Sequence, residues 1–476
     1  MKGLVRSILL LALLPAALIA QQVTVASTAP QRLRVTTTNE EASRQFWAGL
    51  TDARNIFFSR ATTHFDRAAT LDGTFGLARV MRGWAAPDLT KDERKAEVDR
   101  GIATMSSAST GEMVTALAFR EFVAGNRRQA RELFGTASEL LPGDPNIAFF
   151  SAFAQVGPAD AIPALRSVIE RFPDDAPTYN ILAYNLWQTG DRAGAFTAVR
   201  KYVELAPDQP NSHDSYGELL QWEGRFTDAM AHYARAAQLD STFTEAYLGS
   251  AEVLQLSGRG PEARRQIQQA IARSTSKATS VGYTRDLARS FLMDGLVKEG
   301  MDQFAIALRD AQALNRPALI AAIHRDLAFT DAQSGRGTTI AAHLASAAEA
   351  RGTDDPMQVE MTAATYTVGG DINAARQAIQ KFAALAQPDN YNATRASIMR
   401  AIIALRENKP KEALSQLTGA PLDDPWVRTL TAECYVAAGN LADARVLKNQ
   451  VVNDPQLNFS DGYNVAARIR AAKIKA

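Results

Sequence analysis

Five histidines, one cysteine and the acid pairs at 174–175 and 423–424 are the residues weighed first for chemistry in this chain of 476 residues. His64, His213, His232, His324 and His343 could ligate a metal or carry protons. None stands in an H-E-x-x-H pair or clusters with the cysteine, and His213 and His232 fall on different helices of one unit. Structural or surface roles are therefore expected for them. Cys434 would need a nearby base to become a thiolate, and no histidine is near it in sequence. It sits beside Tyr435 on a helical pattern and reads as a buried packing thiol. Asp174 with Asp175, and Asp423 with Asp424, could form acid–base pairs. Each pair stands by a proline at a helix start, where a carboxylate caps free N–H groups and meets the positive helix end. The sequence holds no G-x-x-x-x-G-K-[ST], no G-x-G-x-x-G and no G-x-S-x-G. The expectation is no catalytic residue, no metal and no cofactor.

Contact chemistry is better supplied. Asn180, Tyr184, Trp187 and Gln188, then Asn211, Asp214, Glu218, Gln221 and Trp222, then Glu245, Leu248, Glu252 and Gln255 recur on one face of three successive helices. Aromatic rings there supply large contact area, and flanking acids and amides orient a peptide backbone. Two readings stand for Trp187 and Trp222: anchors for a partner, or packing between repeats. The groove set taken forward is Asn180, Tyr184, Trp187, Asp214, Glu218, Gln221, Glu252 and Gln255. Side chains on such a face are expected to make few contacts between repeats.

The elements that position these residues follow from a period of 34. Gly190, Gly224 and Gly258 keep that step, as do Ala195, Ala229 and Ala263, and Ala183, Gly217 and Ala251. A fixed period of this size means stacked units, each burying its apolar face only against its neighbours. In the clearest unit Tyr216, Gly217 and Leu220 lie on a first helix, Gly224 turns the chain, and Ala229, Tyr233 and Ala236 lie on a second. This resembles the tetratricopeptide repeat (TPR) family, whose pattern runs W-x2-L-G-x2-Y, A-x3-F and P. The stretch 200–225 is similar to exported bacterial members of undefined biochemical role. The resemblance implies an all-α, right-handed α-solenoid superhelix of helical hairpins, with first helices lining the concave side. Members that clamp a carboxylate place Lys, Asn and Arg along that face. Here Asp214, Glu218, Glu245 and Glu252 stand there instead, which favours a neutral or basic extended segment of another protein as partner.

The register extends outward through Gly125 with Ala130, Gly157 with Ala161, and Ala61 with Phe65 and Ala68. Downstream it runs through Gly300 with Ala305, Gly335 with Ala341, Gly370 with Ala375, Asn408 with Ala413, and Gly439 with Ala444. About twelve units result. The organisation expected is a signal at 1–20, an extended leader at 21–38, clear repeats at 39–273, a possible hinge at 274–280, and degenerate repeats with a capping helix at 281–476. Arg468, Arg470, Lys473 and Lys475 read as a solvated face of that helix.

Composition bounds the setting. Lys2 and Arg6 precede an apolar run at 8–20 that contains Pro15, the pattern of a secretory signal too short to span a bilayer. The protein is thus expected to be exported, periplasmic or secreted, and soluble. A single cysteine excludes an internal disulfide framework. The balance of 52 Lys and Arg against 51 Asp and Glu gives no general attraction to nucleic acid or an anionic membrane. The function expected is a non-catalytic scaffold that binds proteins in a concave groove. The alternatives are an accessory subunit of an outer-membrane or nutrient-uptake assembly, and an α-solenoid enzyme acting on cell-wall polysaccharide.

Overall fold

The computed structural model describes residues 31–385 and 391–476. The export signal and residues 21–30 of the leader lie outside the described residues. Helices are the only regular element among the described residues, and they follow one another as hairpins. In chain order they are α1 (Glu40–Arg54) and α2 (Phe58–Leu71), α3 (Gly76–Ala85) and α4 (Lys91–Ala103), α5 (Thr110–Ala124) and α6 (Arg127–Leu140), α7 (Pro145–Phe153) and α8 (Pro158–Arg171), α9 (Ala176–Gln188) and α10 (Arg192–Leu205), and α11 (Pro210–Trp222) and α12 (Phe226–Leu239). Then come α13 (Glu245–Leu256) and α14 (Gly260–Arg273), α15 (Lys277–Met293) and α16 (Val297–Ala313), α17 (Pro317–Gln333) and α18 (Ile340–Arg351), α19 (Pro356–Gly369) and α20 (Ile372–Ala383), α21 (Tyr391–Arg406) and α22 (Pro410–Leu417), and α23 (Pro425–Ala437) and α24 (Leu441–Val452). A last helix, α25 (Gly462–Ala472), has no hairpin mate. The protein is an α-solenoid of helical hairpins.

The turn inside most of the hairpins uses a left-handed residue, and glycine takes that conformation without strain. Gly190, Gly224 and Gly258 have φ of 85°, 77° and 73°. One expected turn moves. The turn after α15 is Gly295, with φ 77°, and Gly300 lies inside α16. A Cβ on Gly300 would meet the Leu292 side chain at 2.8 Å, so its smallness serves helix packing. The register slips because α15, α16 and α17 each run to 17 residues and stretch the period. In the same way Ala341 is exposed, and Ile340 takes the buried place. At 274–280, Ser276 caps α15 by accepting from the Thr279 N–H, so the Ser/Thr run is mostly the first turn of a helix.

The chain divides into two units. One takes the described residues through Ala48, His64–Trp84 and Lys91–Asn185; the other takes Gly49–Thr63, Ala85–Thr90 and the described residues from Leu186 onward. The first unit is held by aromatic contacts, with Phe119 against Trp84, Phe134 and Phe150 at centroid distances of 5.2, 5.1 and 4.9 Å. Residues 31–38 are non-helical and cross the starts of α5 and α7. Leu33 N–H donates to the Asp144 carboxylate at 2.9 Å, and Thr36 N–H to Glu112 at 3.0 Å.

In the second unit neighbouring first helices lie side by side, α11 on α13, α17 on α19, α19 on α21 and α21 on α23. Close approach is set by small residues. The Tyr233 ring of α12 is buried beside Gly217 and Gly249, and a Cβ on Gly217 would meet it at 2.9 Å. A Cβ on Gly249 would collide with the ring outright. Overpacking of this kind costs about 1–3 kcal/mol or more. Gly249→Ala is therefore expected to lower the thermal midpoint more than Gly217→Ala, and Gly217→Leu to exceed both. A melt of Gly217→Leu that coincides with wild type would refute the packing described.

Candidate functional site

The polar face of α11, α13 and α15 meets a non-helical piece of the same chain. Residues 453–461 connect α24 to α25 and run along these helices. Gln221 is fully buried. Its amide Nε2 donates to the Leu457 carbonyl at 3.3 Å and to Glu252 at 3.2 Å, while its Oε1 accepts from the Tyr233 hydroxyl at 2.9 Å. Glu252 accepts the Phe459 N–H at 3.2 Å. Arg289 donates to the carbonyls of Phe459 and Ser460 at 2.9 and 3.3 Å, and the Ser460 hydroxyl donates to Asp286 at 3.1 Å. An extended backbone has unpaired N–H and C=O groups, and these side chains satisfy them as a neighbouring strand would. Leu457 and Phe459 are buried against Tyr247, Ala251, Leu254, Tyr283 and Leu287.

Downstream, α25 lies against α15, α23 and α24. Trp426 Nε1 donates to the Tyr463 carbonyl at 3.1 Å, Tyr463 donates its hydroxyl to Asp424 at 3.1 Å, and Gln333 donates to the Ala466 carbonyl at 3.4 Å. Arg468, expected on a solvated face, is instead buried and donates to the carbonyls of Val452 and Asp454. It closes the chain that leads into the groove; Lys473 and Lys475 are exposed as expected, whereas Arg470 is half-buried. Arg470 forms a two-armed ion pair with Glu433 at 2.7 and 2.8 Å.

The remaining sequence-derived groove residues divide. Asn180 and Tyr184 belong to the first unit, where Asn180 is buried and Tyr184 half-buried. Trp187 is buried, 5.5 Å from the Trp222 ring and 6.1 Å from Phe196, with the Arg192 guanidinium 3.5 Å from its ring centre. That geometry supports the packing reading of Trp187. Gln255 is also spent between helices, accepting from Ser290 at 2.7 Å and donating to Asp294 at 2.7 Å. Glu252 holds the occupant and Gln221 holds both it and Tyr233, contrary to the expectation of few structural contacts. Asp214 and Glu218 are half-buried beside them.

The face is electrostatically strained. Burial, and then the fields of Glu218, Glu245 and Glu252, push the Asp214 carboxyl well above the usual range. Burial likewise raises Glu252 and Glu245, which the Gln221 and Thr244 hydrogen bonds only partly offset. Burial raises Asp286 despite Arg289, whereas Asp326, half-buried, is held low by Arg285 and Arg289 together.

Four histidines pair. His213 and His232 face each other with Nδ1 atoms 3.1 Å apart, and His324 and His343 repeat that distance. Members of each pair are 19 residues apart and bridge the two helices of one hairpin. Among the described residues no group of three or more His, Cys, Asp or Glu is arranged to hold a metal. Cys434 is buried, and burial pushes its thiol up to about 11. Asp424 caps α23 through the N–H groups of Trp426 and Val427. Arg289, Asp286, Trp426 and the 453–461 segment were not singled out by sequence; the run Pro455–Gln456–Leu457–Asn458–Phe459, apolar at alternate positions, was the available signal.

Hairpin architecture and a groove that clasps an extended backbone define a helical-repeat protein suited to protein–protein interaction. The chain carries tetratricopeptide repeats: residues 223–276 match the tetratricopeptide repeat family. It is 24% identical over 346 residues to cellulose synthase operon protein C of Pseudomonas fluorescens (strain SBW25), covering 69% of this chain and 27% of that protein. The same-named protein of Xanthomonas axonopodis pv. citri (strain 306) is 24% identical over 298 residues, covering 58% and 19%. The chain thus spans about a quarter or less of the relatives it matches. Yeast Tom70 is similar at TM-score 0.44 and 13% identity, covering 88% of this chain and 98% of that one. The APC/C hetero-tetramer Cut9–Hcn1 is similar at TM-score 0.43 and 15% identity, covering 85% and 75%.

The strained acid yields a pH test. A carboxyl whose folded pKa is raised binds more protons folded than unfolded, so its penalty is full above the folded pKa and fades as pH falls through it. Asp214→Asn is expected to raise the thermal midpoint at pH 8, with the gain over wild type shrinking on acidification. A gain that grows toward acid would contradict the assignment.

Proposed function

We propose that this protein is a non-catalytic, extracytoplasmic scaffold that holds an extended segment of a partner protein against the first helices of its central repeats. The observation that carries this reading is the seating of residues 453–461. Gln221, Glu252 and Arg289 address backbone groups alone, while Leu457 and Phe459 fill apolar sites between helices. Backbone hydrogen bonds give affinity without regard to sequence, and the two apolar sites give specificity. A partner segment with apolar residues at alternate positions and no acidic charge fits the same groove. It binds by displacing the resident segment, so the resident sets the threshold that a partner must exceed. The polar groups of this face are engaged in recognition, which supports binding rather than turnover. The apolar run at 8–20 supports export.

The second reading is an accessory subunit of an outer-membrane assembly. The name shared by the two relatives, cellulose synthase operon protein C, supports a role beside other proteins of one operon and does not name the membrane. Both readings use the same groove and differ in the partner.

A labelled peptide with the sequence of residues 453–461 tests the groove on the full chain. Loosening the resident with Leu457→Ala and Phe459→Ala together removes buried apolar side chains that cost about 2–5 kcal/mol each in a core. This double variant is expected to bind the peptide at least about tenfold more tightly than wild type. Adding Glu252→Lys is expected to abolish the gain. Equal, negligible binding by wild type and the double variant, with both still folded by circular dichroism, would reject the groove as a peptide site.

A further inference from the structure

A second feature of the inner wall lies beyond the peptide groove. Where α25 crosses the first helices α15, α17, α19, α21 and α23, it leaves a cavity of about 520 Å³. That volume falls in the range of about 300–1,000 Å³ usual for small-molecule sites. Its walls are mostly apolar, with Phe329, Met357, Met361, Val368, Met399 and Ile402 among them. Met357 and Tyr391 line it and are still 52% and 46% exposed, so the cavity opens through large side chains that water solvates poorly.

The charges in the cavity do not balance pairwise. Arg285 and Arg289 meet Asp326 at 2.7 and 3.0 Å, Arg289 also pairs with Asp286 at 3.2 Å, and Arg395 pairs with Glu360 at 2.9 Å. Tyr391 donates its hydroxyl to Glu360 at 3.0 Å, and Tyr463 to Asp424 at 3.1 Å. Each acid facing the cavity from these helices is engaged. Arg325 is left over: its Nη1 is buried without an acceptor among the described residues. A buried, unpaired donor on a charged group carries its full desolvation penalty. Burial outweighs the favourable fields of Asp355 and Asp326 and lowers the pKa of this guanidinium. A water molecule would satisfy the donor, but it would not account for the methionine-rich wall or its exposed rim.

We infer that this cavity binds a small amphipathic monocarboxylate, with the carboxylate on Arg325 and the apolar body along Phe329, Met357 and Met361. A planar guanidinium matches a carboxylate with two parallel hydrogen bonds, and methionine walls adapt to an unbranched or irregular apolar body. One guanidinium N–H group without an acceptor matches a ligand that carries one carboxylate. This site adjoins the peptide groove, with Arg289 and Ser460 common to both, but it does not rest on the scaffold reading.

Isothermal titration calorimetry on the full chain tests it. The probes are straight-chain monocarboxylates of about six to twelve carbons, a length that suits a pocket of this size, with the matching primary alcohols and inorganic phosphate as controls. At least one carboxylate is expected to bind saturably at one per chain, at least about tenfold more tightly than its alcohol. Arg325→Met is expected to erase that preference while alcohol binding persists, and Ala364→Trp, which fills the cavity, to remove both. Arg325→Met is also expected to melt no lower than wild type without ligand, because it removes a buried N–H group that has no acceptor. That melt separates loss of binding from loss of folding. The inference fails if no carboxylate in the series binds saturably, if alcohol and carboxylate bind alike, if phosphate alone binds, or if Arg325→Met retains wild-type preference.

Discussion

The distance of closest approach between neighbouring helices governs the rest of this structure. A hairpin repeat has no core of its own, and its apolar stripe is buried only when the next hairpin lies close against it. Where Gly217 and Gly249 leave room for the Tyr233 ring, that approach is reached. The ring then does a second task, placing its hydroxyl on Gln221 and fixing that amide so that its N–H groups face Leu457. A side chain that would otherwise swing among rotamers is held ready for a backbone carbonyl. Helix spacing, rotamer and hydrogen bond therefore form one chain of cause.

The same closeness concentrates charge. Asp214, Glu218, Glu245 and Glu252 come from two helices that could not repel one another apart without losing their packing. The face is left in need of donors, and its strain is relieved by N–H groups and cations rather than by acids. The resident segment supplies the Phe459 N–H, and Arg289 reaches the adjoining carbonyls from α15. Recognition here uses groups common to every peptide, and side-chain choice is left to the apolar sites around Leu457 and Phe459.

The fold was legible because its cause is local and periodic. Left-handed glycines and small contact residues recur at fixed steps, and Gly190, Gly224 and Gly258 all turn as the spacing implies. Register failed at Gly300, where longer helices alter the step while every local preference stays satisfied. Among the groove residues, helical phase brought Gln221 and Glu252 to the correct face. It could not separate them from Trp187, because phase does not say whether a neighbouring ring such as Trp222 will cover a side chain. The occupant was hidden for another reason. The contacts of Phe459 with Glu252 and of Leu457 with Gln221 span 207 and 236 residues, and no period connects the partners. The histidine pairs lie between these cases: their spacing is visible in the sequence, but the meeting of their rings depends on how the two helices of a hairpin cross.

The long span between groove and resident segment has a consequence for how the molecule assembles. Hairpins form from neighbours in sequence and can accrue one after another as the chain emerges, whereas the inner wall waits for residues more than two hundred positions later. During that interval Tyr247, Leu254, Tyr283 and Leu287 are uncovered, and the acids beside them are hydrated. Contacts of such long sequence separation slow closure relative to the local hairpins, and until they form the solenoid bears an uncovered apolar stripe. The acidic face beside that stripe is a natural guard over the interval, since like-charged intermediates repel one another before their own tail arrives to cover them.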